Sequence, residues 1–144
     1  MKIFLGADHR GFALKEKVKS WLIELGHQYE DCGAHEYNQS DDYPDFSQAV
    51  SKKILESSDS KGIIICGSGV GVAVAANRFK GIRAGTAISK EQIRDSVSDE
   101  DTNVLAISAD YTTKNDAKDI VKIFLETKFS GEERHIRRIN KLDV

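Results

Sequence analysis

The stretch Gly62–Asn77, GIIICGSGVGVAVAAN, is the strongest indication of the fold of this chain. Its apolar run Ile63–Cys66 is typical of a buried parallel strand, and the small apolar residues from Val72 onward predict a buried helix. A glycine-rich turn, Gly67–Gly71, joins the two. Strand, turn and helix together present backbone N–H groups at a helix N-terminus, which suits an anion or an oxyanion. The thiol of Cys66 lies at the mouth of that predicted site, and a thiolate is a competent base or nucleophile.

The glycine spacing by itself is a weak signal. The turn reads G-x-G-x-G, whereas dinucleotide-binding turns read G-x-G-x-x-G, and the chain contains no G-x-x-x-x-G-K-[ST] phosphate loop. Glycines at this spacing are also typical of a tight strand-to-helix turn with close packing. Cys66 and Ser68 in the same turn favour a chemical role over a purely structural one.

Composition limits the classes of function. The 144 residues predict a single domain over residues 1–144, and 40% of them are hydrophobic and 31% charged. A net charge of −2 gives no sign of nucleic-acid or membrane binding. Two cysteines are too few for a disulfide framework and no signal peptide is recognisable, so we expect a cytoplasmic protein. The four histidines have no metal-type spacing with the cysteines, and we expect no metal and no cofactor.

Strand-like and helix-like segments alternate along the whole chain. Strands are predicted at Ile3–Ala7, Tyr29–Cys32, Ile63–Cys66, Ile82–Ala87 and Asn103–Ser108. Apolar residues recur at helical spacing between them, and a final basic helix is predicted within Glu132–Lys141. This alternation predicts an α/β fold, a three-layer Rossmann-like arrangement with a five-stranded parallel sheet.

Four chemically active side chains follow the first and third predicted strands. Ligands of such sheets bind beyond the carboxyl ends of the strands, so we expect Asp8 and His9 to lie on one rim with Cys66 and Ser68. Asp8 alone is equally well explained as a cap of the following helix. A carboxylate, an imidazole, a thiol and a hydroxyl beside an oxyanion cradle suit proton abstraction next to a carbonyl and stabilisation of an enediolate.

Motifs spread over nearly the whole chain carry a family resemblance. They are Ala7-Asp8-His9, Gly11-Phe12-x-Leu14-Lys15, Asp42-Tyr43-Pro44, Cys66–Gly71, Ala75-Ala76-Asn77-Arg78, Gly81-Ile82-Arg83-Ala84, Asp101–Leu105 and Arg134-His135-x-x-Arg138. In this order the chain closely resembles the type B ribose-5-phosphate isomerases and the related allose- and galactose-6-phosphate isomerases. The resemblance implies an aldose–ketose isomerase that acts on a sugar phosphate and forms dimers or tetramers with shared active sites.

The resemblance also implies a role for individual residues. Cys66 would be the base that moves a proton between C1 and C2, and Ser68 would bond the sugar oxygens. Asp8 would orient sugar hydroxyls or help to move protons, while Arg134 and Arg138 would reach the phosphate from a neighbouring subunit. Without the resemblance, these two arginines are better explained as part of a solvated basic tail. The remaining implied substrate contacts are His9, Tyr43, Gly67, Gly69, Val70, Gly71, Asn77 and His135.

Three acidic residues depart from the pattern of the family. Relatives typically carry His-Asn where this chain has Asp99-Glu100, and the histidine is thought to open the sugar ring; relatives also carry a phosphate-binding arginine where Asp110 stands. Two negative charges a few ångströms apart repel each other by roughly 4 kcal/mol at an effective dielectric of about 20. Weaker phosphate binding is therefore expected.

The departures leave several functions open. In one alternative, the enzyme isomerises sugar phosphates and Asp99 or His135 opens the ring. In another, it accepts a different sugar, or mainly open-chain forms. Alternatively, it binds sugar phosphates or pairs with another subunit and has little activity of its own. A flavodoxin- or receiver-like signalling module is a weaker alternative, because receivers need an aspartate where the third strand ends in Cys66.

Overall fold

The computed structural model describes all 144 residues and contains five strands and six helices. The strands are β1 (Lys2–Ala7), β2 (Gln28–Asp31), β3 (Ser60–Cys66), β4 (Ala84–Thr86) and β5 (Val104–Ser108). The helices are α1 (Phe12–Glu24), α2 (Tyr43–Glu56), α3 (Val70–Ala76), α4 (Lys90–Glu100), α5 (Lys114–Glu126) and α6 (Glu133–Ile139). None of these helices has both the length and the apolar character that crossing a membrane requires.

All five strands are parallel and form one sheet in the order β2-β1-β3-β5-β4. The predicted five-stranded parallel sheet is therefore confirmed. The apolar run of β3 lies at its centre, where Ile65 pairs with Ala7 on one side and with Ile107 on the other. Since parallel strands end at the same edge, the residues after β1, β3 and β5 meet there, at what we call the Cys66 edge.

Helices cover both faces of the sheet. One face packs on α1, α4 and α5, whose apolar side chains share a cluster of 18 buried residues with the strands. The other packs on α2 and α3 around a cluster of 10 buried residues that includes Cys66. These two clusters give the three layers that the alternation of strands and helices predicts.

The predicted fourth strand is longer than the observed one. The apolar pattern predicts a strand over 82–87, whereas β4 is only Ala84–Thr86. The backbone N–H of Arg83 donates to the side-chain oxygen of Asn103 at 2.8 Å instead of entering the sheet ladder. A side-chain bond thus replaces the first ladder bond of this edge strand.

A buried ion pair fixes the chain beyond β2. Lys15 of α1 is fully buried, and its ammonium donates to both carboxylate oxygens of Asp31 at 2.7 and 2.9 Å and to the carbonyl of Ala34. The backbone N–H of Gly33 donates to the same carboxylate at 2.9 Å. Lys15 and Asp31 therefore hold the start of the 33–42 loop against β1. The same loop carries Asp41, which contacts His9 of the candidate site.

Candidate active site

The turn after β3 is closely packed against the end of β5. The carbonyl of Gly67 accepts bonds from the Ser108 hydroxyl at 2.7 Å and from the Asp110 N–H at 3.0 Å. Gly69 has a φ of +76°, and a Cβ there would lie 2.9 Å from the Ser108 nitrogen. Glycine is therefore required at position 69 both by backbone conformation and by space.

The side chains of the turn point in different directions. Cys66 is 5% exposed and packs in the core cluster of α2 and α3. Ser68 is exposed, and its hydroxyl accepts from the Val70 N–H at 3.2 Å. Tyr43, the first residue of α2, covers Gly71, where a Cβ would lie 2.9 Å from its ring. The structure thus brings Tyr43 to the turn, as the sequence predicts.

Asp8 and His9 follow β1 at the same edge. Asp8 is buried, and its Oδ1 accepts from the N–H groups of Arg10 and Gly11 at 3.0 and 3.1 Å. One oxygen thus stabilises the turn into α1, which leaves Oδ2 for a ligand. Both explanations that the sequence offers for Asp8 are therefore compatible with its geometry.

Asp41, which belongs to none of the motifs, is the hydrogen-bond partner of His9. Its Oδ1 accepts from the His9 ring nitrogen Nδ1 at 2.7 Å and from the His9 backbone N–H at 2.9 Å. Potential ligand atoms of Asp8, His9 and Asp41 lie within 4.8 Å of one another. The only sequence signal was the position of Asp41 directly before the Asp42-Tyr43-Pro44 motif, and the pairing spans 32 residues.

Asp110 also lies at the Cys66 edge, but its charge is compensated. Its carboxylate accepts a hydrogen bond from the guanidinium of Arg10. The Arg10 side chain lies over Gly67, so that a methyl group at Gly67 would collide with the guanidinium. Where an uncompensated acid was expected, the structure therefore presents an arginine and an aspartate together.

The other predicted site residues lie at the opposite edge of the sheet. Asp99 lies in the last turn of α4, just before β5 begins, so the structure does not bring it to Cys66 within one chain. Its Oδ1 lies 3.5 Å from Nε2 of His135, a buried residue of α6 whose ring nitrogens have no hydrogen-bond partner. Asn77 and Glu100 line a cavity at the same edge, and Arg134 and Arg138 belong to α6 together with His135.

Asn77 has a structural role in the chain. Its side-chain amide donates to the Ala84 carbonyl at 2.9 Å and accepts from the Ala84 N–H at 2.8 Å. Both polar atoms are occupied in joining α3 to β4. Within one chain, Asn77 therefore lies away from the Cys66 edge, and its role as a substrate contact stays a prediction.

The chain is similar to known proteins along nearly its whole length. Residues 3–142 match the family described as ribose/galactose isomerase. The chain belongs to that family. It is 38% identical over 142 residues to ribose-5-phosphate isomerase B of Mycolicibacterium paratuberculosis, covering 99% of this chain and 89% of the relative.

Solved structures agree with this family assignment. Ribose-5-phosphate isomerase B of Mycoplasma genitalium, with bound ribulose-5-phosphate, has a TM-score of 0.93 and 37% identity, covering 98% of this chain and 93% of the other. The Thermotoga maritima ribose 5-phosphate isomerase has a TM-score of 0.94 and 40% identity, covering 99% and 97%. The family resemblance and the Rossmann-like fold that the sequence predicts are therefore confirmed.

The two thiols of this family member have different surroundings. Cys32 follows β2, where burial, helped by the nearby Glu30 carboxylate, raises the pKa of its thiol to about 11. Cys32 therefore stays protonated near neutral pH. Cys66 ends the central strand directly before the glycine turn.

The cavities of this isomerase-family chain are not at the glycine turn. The largest, about 420 Å³, lies at the opposite edge among residues of β4, the end of α4 and the C-terminus. A cavity of about 310 Å³ lies between α1 and the β5–α5 loop, lined by Arg10, Asp110, Lys17 and Lys114. Residues 66–71 line none of the cavities. Within a single chain the turn exposes Ser68 and Val70, whereas Cys66, Gly67 and Gly69 are buried.

Proposed function

We propose that this protein is an aldose–ketose isomerase that interconverts ribose 5-phosphate and ribulose 5-phosphate. The observation that carries the proposal is the position of Cys66, which ends β3 directly before the glycine turn, at the sheet edge where Asp8 follows β1. Similar proteins are named ribose-5-phosphate isomerase B, and the Mycoplasma genitalium structure contains ribulose-5-phosphate.

The chemistry requires one base and a cradle for negative charge. In the proposed reaction the Cys66 thiolate removes the proton from C2 of the open-chain aldose and returns it to C1. O2 loses its proton and O1 gains one, so the aldose becomes a ketose through a cis-enediolate. The N–H groups of residues 67–71 and the Ser68 hydroxyl would stabilise the charge that develops on the sugar oxygens.

A second copy of the chain would complete the proposed site. Arg134 and Arg138 are at the edge opposite their own Cys66, so we assign them to the phosphate bound by a neighbouring subunit. Val70 and Val74 support this arrangement, because both are 56% exposed one helical turn apart on α3, directly after the glycine turn. Apolar side chains at that place favour contact with another subunit in a dimer or tetramer.

Exchange of carbon-bound hydrogen in deuterated water tests the proposed base. Wild-type protein should incorporate deuterium into ribose 5-phosphate and ribulose 5-phosphate, and Cys66→Ala should abolish the incorporation while keeping ligand affinity. Cys32→Ala is the matched control and should exchange at nearly the wild-type rate. Exchange by Cys66→Ala at the wild-type rate would remove Cys66 from the mechanism.

A second candidate function is suggested by Asp99 and Glu100. These acids stand where relatives carry His-Asn, which favours a divergent member that uses another sugar phosphate or has little activity alone. A screen of aldose and ketose phosphates by the same exchange assay separates these possibilities. Rapid exchange with a hexose phosphate and none with ribose 5-phosphate would favour the altered substrate.

The two thiols support a reducing location. Cys32 and Cys66 are both free in the structure, and a thiol is what the proposed base requires. We therefore propose that the protein works in the cytoplasm.

A further inference from the structure

His9 is held by two hydrogen bonds to a single carboxylate oxygen. Asp41 Oδ1 accepts from the ring nitrogen Nδ1 at 2.7 Å and from the backbone N–H at 2.9 Å. An ionised carboxylate can only accept, so Nδ1 carries a proton and Nε2 is the nitrogen left for a ligand. The position and the tautomer of His9 are therefore both set by Asp41.

Asp41 has no other partner that explains its burial. Its side chain is only 9% exposed, and its second oxygen, Oδ2, is buried without a hydrogen bond. A buried carboxylate oxygen without a partner is costly, so this arrangement is unfavourable unless a positive charge arises beside it. His9 is the group placed to carry that charge, and Asp8 lies in the same cluster.

The imidazole also lies where a substrate would bind. Ala7 pairs with Ile65, the residue before Cys66, and His9 is only two residues beyond Ala7. Its side chain remains 25% exposed and contacts the edge of the Tyr37 ring, with centroids 6.3 Å apart. The imidazole is therefore partly accessible at the Cys66 edge, and it belongs to the same chain as Cys66.

We propose that His9 opens the furanose ring of the sugar phosphate and that Asp41 is its positioning residue. Nε2 accepts the proton of the anomeric hydroxyl as the C1–O1 bond becomes a carbonyl. The C1–O4 bond breaks, its electron pair goes to O4, and Nε2 returns the proton to O4. His9 ends in its starting state, and the Asp41 carboxylate stabilises the imidazolium formed between the two transfers.

This inference rests on the proposed isomerase function and assigns a step that precedes the chemistry of Cys66. The two steps can be measured separately, because ribulose 5-phosphate has no ring to open. Its ketone at C2 and its phosphorylated C5 oxygen exclude a five-membered ring. Exchange of its C1 hydrogen in deuterated water therefore reports the Cys66 step alone, whereas turnover of ribose 5-phosphate reports both.

His9→Asn is the decisive variant, because the shorter amide can keep a bond to Asp41 but has no second ring nitrogen. It should lower turnover of ribose 5-phosphate by about 10²–10⁴-fold, the usual contribution of a general acid–base group, and leave ribulose 5-phosphate exchange within about threefold. Asp41→Asn should lower ribose 5-phosphate turnover about tenfold or more, with the same exchange retained. Glu36→Gln, in the same exposed loop, should change neither rate.

Two outcomes overturn the inference. Equal losses of turnover and exchange in both variants would mean that His9 and Asp41 support binding or folding only. Unchanged ribose 5-phosphate turnover in both would mean that another group opens the ring. Failure of the proposed function looks different, because wild-type protein would then catalyse no ribulose 5-phosphate exchange at all.

Discussion

Removal of the Asp31 carboxylate should destabilise the protein far more than removal of its lysine partner. Lys15 is fully buried, and Asp31→Ala leaves its ammonium with only the Ala34 carbonyl. A buried ion that loses its partner costs about 3–5 kcal/mol. At roughly 2–4 °C per kcal/mol for a domain of about this size, the melting temperature should fall by about 6–20 °C.

Lys15→Met should cost less, about 1–3 kcal/mol, because Asp31 keeps the Gly33 N–H and the ammonium of Lys19. The double variant Lys15→Met with Asp31→Ala should be more stable than Asp31→Ala alone, since it contains no unpaired buried charge. The asymmetry between the two single variants is the signature of a buried ion pair.

The stabilisation should depend on pH in a defined direction. Burial alone raises the pKa of Asp31, but the bonds from Lys15, Lys19 and the Gly33 N–H lower it below its ordinary 3.8. A carboxyl whose pKa is lower in the folded state stabilises the fold above its unfolded pKa and loses that contribution as the pH falls through the folded value. The stability difference between wild type and Asp31→Ala should therefore shrink below about pH 4.

Urea unfolding followed by circular dichroism at pH 7 and pH 3.5 measures these differences. Asp59→Ala is the control, because Asp59 pairs with the N-terminal ammonium but its side chain is 83% exposed, and such pairs contribute about 0–1 kcal/mol. If Asp31→Ala costs no more than Asp59→Ala at pH 7, Lys15 and Asp31 do not form a stabilising buried pair.

Three further predictions concern the site and its support. The guanidinium of Arg10 lies over Gly67, and we expect it to add a phosphate contact to those of Arg134 and Arg138. Arg10→Ala should then raise KM for the sugar phosphate about 10–100-fold, from the loss of a charge-assisted bond of about 1.5–3 kcal/mol, and Arg10→Ala combined with Asp110→Arg should restore it. Equal KM values for wild type and Arg10→Ala would contradict this contact. Iodoacetamide at pH 7.5 should label Cys32 slowly whether or not ligand is present, because the pKa of its thiol is raised to about 11. Labelling of Cys66 should be blocked by ribulose 5-phosphate. Mass spectrometry of the labelled peptides distinguishes the two cysteines. Asn77→Ala should lower stability by about 1–2 kcal/mol with unchanged KM, and a large rise in KM without loss of stability would restore a substrate role.

Local sequence pattern is enough to predict the strands, turns and helices of this chain. The apolar run ending in Cys66, the glycine turn and the small-residue helix are consecutive in the chain, so strand, turn and helix follow from periodicity and backbone preference alone. The parallel sheet follows from the alternation of such units, and the common edge of Asp8, His9, Cys66 and Ser68 follows from the parallel direction of the strands. These predictions needed no knowledge of contacts between distant residues.

The pairing of charged side chains, by contrast, depends on how distant segments pack in the folded chain. His9 meets Asp41 across 32 residues and Arg10 meets Asp110 across 100, and neither pairing is visible from the spacing of residues along the chain. The structure also separates Asp99 from Cys66, because α4 runs back across the face of the sheet before β5 begins. A hydrogen bond depends on ångström distances between side chains, and periodicity along the chain fixes the face and edge of a residue but not its partner.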